Sequence, residues 1–127
     1  MKPRVFVTRT IPGNALALLR KYAEVRIYPR DQVISRKELL AGVRWCDALL
    51  CLLTDKIDQE VLNSNPRLKI VANYAVGYDN IDLKTARSRG IVVTNTPGTL
   101  EHAVAEHTFA LLLAVARHIP QADAFVR

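Results

Sequence analysis

The chain has 127 residues, 50% hydrophobic, 24% charged and 6% aromatic, a mixture that excludes disorder, a collagen-like repeat and low complexity. The formal charge is +6, but Lys and Arg are scattered and aromatics few, so a solvated basic surface explains it more simply than nucleic-acid binding. The longest apolar run, Phe109 to Ala116, is far short of the roughly 20 residues that span a bilayer, and the basic start MKPRVFVTRT lacks the apolar stretch of a signal peptide. The expectation is a cytoplasmic protein without membrane or nucleic-acid partners. Cys46 and Cys51 lie in or beside an apolar stretch and are expected to be buried free thiols.

The elements alternate strand and helix. Val5-Phe6-Val7 is the first β-rich run. Pro12 suits the first turn of a helix, and Ala15, Leu18, Leu19 and Tyr22 mark its buried face at i, i+3, i+4, i+7. Val25 to Tyr28 reads as the second strand. Ser35-Arg36-Lys37-Glu38 is a capping box, and Leu39, Leu40 and Val43 form the inward stripe of the helix that follows. Ala48 to Leu53 is a continuous apolar run, as expected of a strand covered on both faces.

Asp58 caps a short helix that turns Val61 and Leu62 inward. Lys69 to Ala72 is the fourth strand. Asp82 caps the next helix, with Leu83 and Ala86 inward and Gly90 as its stop. Ile91 to Thr94 is the fifth strand, followed by the turn Asn95-Thr96-Pro97-Gly98. Five β-rich runs separated by helices predict an α/β fold: a flavodoxin-like parallel five-stranded sheet, order 2-1-3-4-5, with helices on both faces. That domain is expected to occupy residues 1–98.

Residues 99–127 differ. Ala103 to Arg117 is helical in composition yet apolar nearly all round, so it calls for cover on most sides and looks built to pack between two bodies. A further helical stretch, Gln121 to Arg127, has no C-terminal cap signal, so the chain is expected to stop inside an element.

In an open α/β sheet, ligands bind at the carboxyl ends of the strands. The fourth of those ends, Asn73 to Asp82, is the most informative. A glycine soon after a strand allows a tight turn and exposes consecutive N–H groups that bind a carboxylate or phosphate. The bland alternative is that Gly77 only permits the turn and Asp79 only ties the loop down. Glycines 13, 42, 77, 90 and 98 form no G-x-G-x-x-G and no P-loop. His102, His107 and His118 are not spaced as an i, i+4 ligand pair, and no metal site is expected. A receiver-like role for Asp55 needs an acidic pair after the first strand, where Thr8-Arg9-Thr10 stands instead. An FMN site needs a hydroxyl- and glycine-rich loop that Arg9-Thr10-Ile11-Pro12 does not provide.

The stretch Asn73-Tyr74-Ala75-Val76-Gly77-Tyr78-Asp79-Asn80-Ile81-Asp82 resembles the substrate loop of the D-isomer-specific 2-hydroxyacid dehydrogenases. Gly90 to Gly98, then Ala103-Val104-Ala105-Glu106 and Leu111-Leu112-Leu113, is similar to the family's next hallmark. Lys2 to Arg9 and Leu53 to Asp58 look most like the glyoxylate and hydroxypyruvate reductases within it. The resemblance implies a two-domain NAD(P)-dependent enzyme, in which residues 1–98 form the substrate domain and 99–127 the interdomain helix and the start of a truncated Rossmann domain. It implies that amides of Val76 and Gly77 hold the substrate carboxylate, with Leu53, Tyr74 and Ala75 lining the pocket. Val104 would approach the nicotinamide of NAD(H) or NADP(H).

The family's dinucleotide fingerprint and its catalytic Arg, Glu and His would lie beyond Arg127, so none maps onto this chain. His102 is on the wrong element to be that His, and Glu101-His102 departs from the small polar or acidic pair common there. The implied reaction is reduction of a 2-oxoacid to the 2-hydroxyacid by hydride transfer, in an enzyme that is typically a homodimer, with the missing Rossmann domain as partner. The expectation is that this chain alone is inactive. The alternative is a stand-alone flavodoxin-like binding or regulatory module, which would need a polar face on Ala103 to Arg117; that face is absent.

Overall fold

A computed structural model describes residues 2–127 of the chain. Its elements are β1 (Arg4–Val7), α1 (Ala15–Tyr22), β2 (Glu24–Ile27), α2 (Arg36–Trp45), β3 (Ala48–Leu52), α3 (Gln59–Asn63), β4 (Ile70–Tyr74), α4 (Leu83–Ser88), β5 (Val92–Thr94), α5 (Glu101–Ala116) and α6 (Ile119–Val126). All strand pairs are parallel and the sheet order is β2-β1-β3-β4-β5, as the α/β pattern predicts. The chain divides into two compact units, residues 1–96 and 97–127.

Strand alternation divides the core of the first unit between the two faces of its sheet. On β1, Phe6 joins the larger cluster while Val5 and Val7 join the smaller. On β3, Leu49 and Cys51 enter the larger cluster, and Ala48 and Leu50 pack against the smaller. Helices α2, α3 and α4 cover the larger side with Leu39, Val43, Val61, Leu62 and Ala86. Helix α1 covers the other with Leu16, joined by Ile11 and Ala23. Full burial of a side chain such as Leu49 or Leu62 contributes about 1.5–3 kcal/mol.

Local signals set the helix ends. Ser35 Oγ accepts from the Glu38 amide, one half of the expected box, and donates to the Glu38 carboxylate. Asp58 accepts from the Val61 amide at 3.2 Å, and Asp82 from the Thr85 amide at 3.0 Å. Gly90 follows α4 at φ +65, a left-handed stop that favours glycine.

Two expectations about helix faces fail. The inward stripe of α1 is Leu16, Leu19 and Ala23, whereas Ala15, Leu18 and Tyr22 are exposed. The stripe is set by docking on the sheet, where Leu16 joins Val5 and Val7. The helix also starts later than expected: Gly13 sits at φ +76, so Pro12 belongs to a turn before it and α1 starts at Ala15. Leu83 is also exposed, because Ile81, just before the cap, takes the inward position. Both cysteines are free and fully buried; burial pushes the Cys46 thiol up to about 11 and the Cys51 thiol up to about 12.

Four of the 18 basic residues have structural partners of note. Arg26 stacks over Trp45 at 3.9 Å, and Arg4 pairs with Asp47. Arg36 binds Asp58 and Glu60, and Arg89 donates to the carbonyls of Leu62 and Asn65.

The second unit is two helices. Glu101 accepts from the amides of Gly98 and Leu100 at the start of α5. His118, at φ 52, breaks the chain between α5 and α6, and Pro120 lies in the first turn of α6. No residue of either helix is buried.

Candidate functional site

Parallel strands bring all their carboxyl ends to one edge. In the β3–β4 register Leu52 is opposite Tyr74, so Leu53 and the loop from Ala75 leave neighbouring strands at that edge. Leu53 and Tyr74 are exposed, at 65% and 45%. Ala75 and Val76 are half-buried, and Gly77 is exposed. Five predicted residues thus gather on adjoining segments. Val104 is on α5, in the second unit, and exposed.

Side-chain carboxamides hold the loop. Asn73 and Asn80 bond to each other in both directions, at 3.0 and 3.3 Å. Asn73 also donates to the Gly77 carbonyl at 2.8 Å and accepts from the Cys51 thiol at 3.4 Å. Asn80 also donates to the carbonyls of Leu52 and Asp55, at 3.1 and 3.0 Å. Asn95, after β5, donates to the Val76 carbonyl at 2.7 Å, and the Thr96 amide to the Ala75 carbonyl at 2.9 Å. Below the loop, the Asp55 carboxylate accepts from the Thr8 hydroxyl and from the Leu52 amide. Both bonds go to Oδ2 and tie this buried carboxylate to β1 and to the end of β3.

The backbone of the loop is asymmetric in its use of hydrogen bonds. Its carbonyls at Ala75, Val76 and Gly77 are all engaged, whereas the amides of Val76, Gly77 and Tyr78 have no acceptor among the described residues. Free N–H groups at the carboxyl end of a parallel sheet are suited to an anion such as a carboxylate. Gly77 is outside the left-handed region, and a Cβ built on it meets nothing nearer than Asp79 Oδ2 at 3.8 Å. The turn therefore does not demand glycine there. Open clefts flank the loop: one of about 280 Å³ is lined by Leu53, Thr54 and Asp79 to Asp82 among others, and one of about 150 Å³ by Tyr78, Leu83, Val93 and Asn95.

Sequence reasoning missed the carboxamide clamp. One signal was available: Asn73 interrupts an apolar strand at a position that is 2% exposed. A buried amide needs partners, and the loop that follows supplies two of them, the Gly77 carbonyl and Asn80. No such pattern marks Asn95 or Thr8.

Residues 5–122 match the model of the D-isomer specific 2-hydroxyacid dehydrogenase catalytic domain, and the chain belongs to that family. It is 54% identical over 127 residues to the glyoxylate reductase of Pyrococcus furiosus and 55% identical to that of Thermococcus litoralis. In each case all of this chain aligns, and it spans 38% of the relative's length. Among solved structures it is similar to the TT0316 protein of Thermus thermophilus, with a TM-score of 0.89 and 46% identity over 98% of this chain and 40% of that one. An NADPH-dependent glyoxylate/hydroxypyruvate reductase from Sinorhizobium meliloti, solved with NADP and malonate, matches with a TM-score of 0.75 and 32% identity, over 100% of this chain and 38% of that one.

Proposed function

We propose that this chain forms the carboxylate-binding side of a glyoxylate or hydroxypyruvate reductase that uses NAD(H) or NADP(H). The observation that carries the reading is the loop after β4, where the amides of Val76 and Gly77 have no acceptor among the described residues and lie beside the exposed Leu53 and Tyr74. The two amides would bind the carboxylate of the 2-oxoacid through charge-assisted hydrogen bonds. Leu53, Tyr74 and Ala75 would form the apolar wall beside it. The malonate in the Sinorhizobium meliloti relative is a small carboxylate, in keeping with such a ligand.

A nicotinamide cofactor supplies the hydride when bound. Val104 is the residue of this chain assigned to its neighbourhood, and it offers only apolar contact. Its carbonyl is already an acceptor for the Thr108 hydroxyl at 2.7 Å, and its amide donates to Leu100. The chain's own contribution is to bind and orient the substrate and to exclude water from one side of the cleft. The polarising Arg, the Glu and the proton-donating His of the family are assigned to sequence outside these 127 residues, as is most of the cofactor site. The 127-residue chain mixed with NADH or NADPH and glyoxylate should therefore oxidise no cofactor; turnover would refute that assignment.

The decisive test is Gly77→Val in the whole protein. The site has space for a side chain and no left-handed strain, so folding should be little affected. The added methyls would crowd the carboxylate, and KM for glyoxylate should rise at least about tenfold, the equivalent of one charge-assisted hydrogen bond. An unchanged KM would overturn the cradle.

A further inference from the structure

We infer that Asn95 and Asn73 are positioning residues that aim the substrate-binding amides, and that the Tyr78 N–H is a third member of the cradle; this rests on the carboxylate reading of the β4 loop. A trans peptide unit is planar, and its C=O and N–H point in opposite directions. Fixing the carbonyl of one residue therefore fixes the N–H of the next. Three consecutive carbonyls are held by three separate donors: Ala75 by the Thr96 amide at 2.9 Å, Val76 by Asn95 Nδ2 at 2.7 Å and Gly77 by Asn73 Nδ2 at 2.8 Å. Each bond turns the following amide, on Val76, Gly77 and Tyr78 in order, away from its donor. Among the described residues none of those three amides has an acceptor; the amides of Asp79 and Asn80 further along the loop have none either, but no bond of this series sets their direction.

Alternative causes for this backbone are weak. Gly77 is not in the left-handed region, so glycine geometry does not impose the turn. The half-buried Asn95 side chain has no other hydrogen bond among the described residues, whereas Asn73 also bonds to Asn80 and Cys51. Asn95 is consequently the cleaner lever on one peptide plane, the one that carries the Gly77 N–H. The β5 edge would thus contribute to substrate binding without touching substrate.

The test uses the labelled 127-residue chain, with Asn95→Ala and the isosteric Asn95→Asp, which removes the donor. Residual dipolar couplings report the direction of each N–H without ligand. We expect the Gly77 coupling to change in both variants while those of Val76 and Tyr78 are retained. A glyoxylate titration at constant ionic strength should shift the amides of Val76, Gly77 and Tyr78 in the parent chain. Asn95→Ala should bind about tenfold more weakly with its melting temperature nearly unchanged. Retained Gly77 coupling or retained affinity in the variants would overturn the positioning role and leave the cradle standing. If glyoxylate does not shift these amides in the parent chain, the cradle falls, and the inference with it, even where the couplings move as expected. If Tyr78 alone fails to shift, its place as third donor is lost.

Discussion

Helices α2 and α5 have comparable local reasons to form, yet they end in opposite surroundings. Helix α2 segregates its residues: Leu39 and Val43 are buried, Gly42 approaches β1, and Lys37, Ala41 and Arg44 are exposed. Helix α5 has Val104, Phe109, Leu111, Leu112, Leu113 and Val115 on every side, and none of its residues is buried. Hydrophobic content therefore does not determine burial. A single sheet face can cover one stripe of a helix, and an apolar helix without a polar face needs several surfaces.

The largest expected effect separates the two units directly. Leu62→Ala removes a fully buried side chain from the first unit and should cost about 2–5 kcal/mol in urea denaturation. Leu112→Ala, at a position 57% exposed, should change stability by no more than about 0.5 kcal/mol. Similar losses at both sites would show that α5 is buried in solution, and the contrast would collapse.

Gly42 sharpens the same comparison. A Cβ there would lie 2.1 Å from the Phe6 ring, so the helix needs glycine for close approach to β1. Gly42→Ala gains about 1 kcal/mol of helix propensity but overpacks the core by about 1–3 kcal/mol or more. A net loss is expected because the ring has to shift; a more stable Gly42→Ala chain would show that Phe6 moves freely. In α5, Ala110→Gly should cost only the propensity difference of about 1 kcal/mol, since the residue is exposed.

Caps give smaller effects. Asp58→Ala should cost about 1 kcal/mol by freeing the Val61 amide, and Asp82→Ala a similar amount. At α5 the corresponding position is Leu100, with no side-chain cap to lose, so Leu100→Ala should leave thermal stability nearly unchanged.

The pH profile is the gentlest probe. The Arg4 amide holds the Asp47 carboxyl below its usual value, the Thr85 amide and hydroxyl do so for Asp82, and the Ser35 hydroxyl does so for Glu38. Carboxyls with depressed folded values stabilise the fold above their unfolded values and cease to do so as pH falls through the folded ones. Acid urea titrations should therefore show stability declining below about pH 4. The two buried thiols act at the other end. Their folded values are raised, so stability is full below the unfolded value of about 8.5 and declines as pH climbs toward 11. A Cys46→Ala, Cys51→Ala chain should show a shallower alkaline decline.

Periodicity and caps are legible because they are local. Ser35, Asp58, Asp82 and Gly90 each act within four residues, and each stands where the sequence pattern puts it. Alternating strand and helix, with right-handed crossovers, leaves few sheet orders to choose from. The buried face of α1 is not legible in the same way, because it is set by packing on the sheet, where Leu16 meets Val5 and Val7, and not by anything within the helix. The candidate loop is marked by Gly77 and the motif around it, but the groups that shape it are not.

Sequence by itself therefore determined the element order, the caps and the parallel sheet, and it marked the loop after β4 that is proposed to bind a carboxylate. Only the tertiary structure decided which groups aim that stretch. Asn95 is 18 residues from Gly77 and reaches the peptide beside it solely because β4 and β5 run side by side in register. A hydrogen bond responds to distance in space, and the sequence alone does not contain that distance until the sheet has formed.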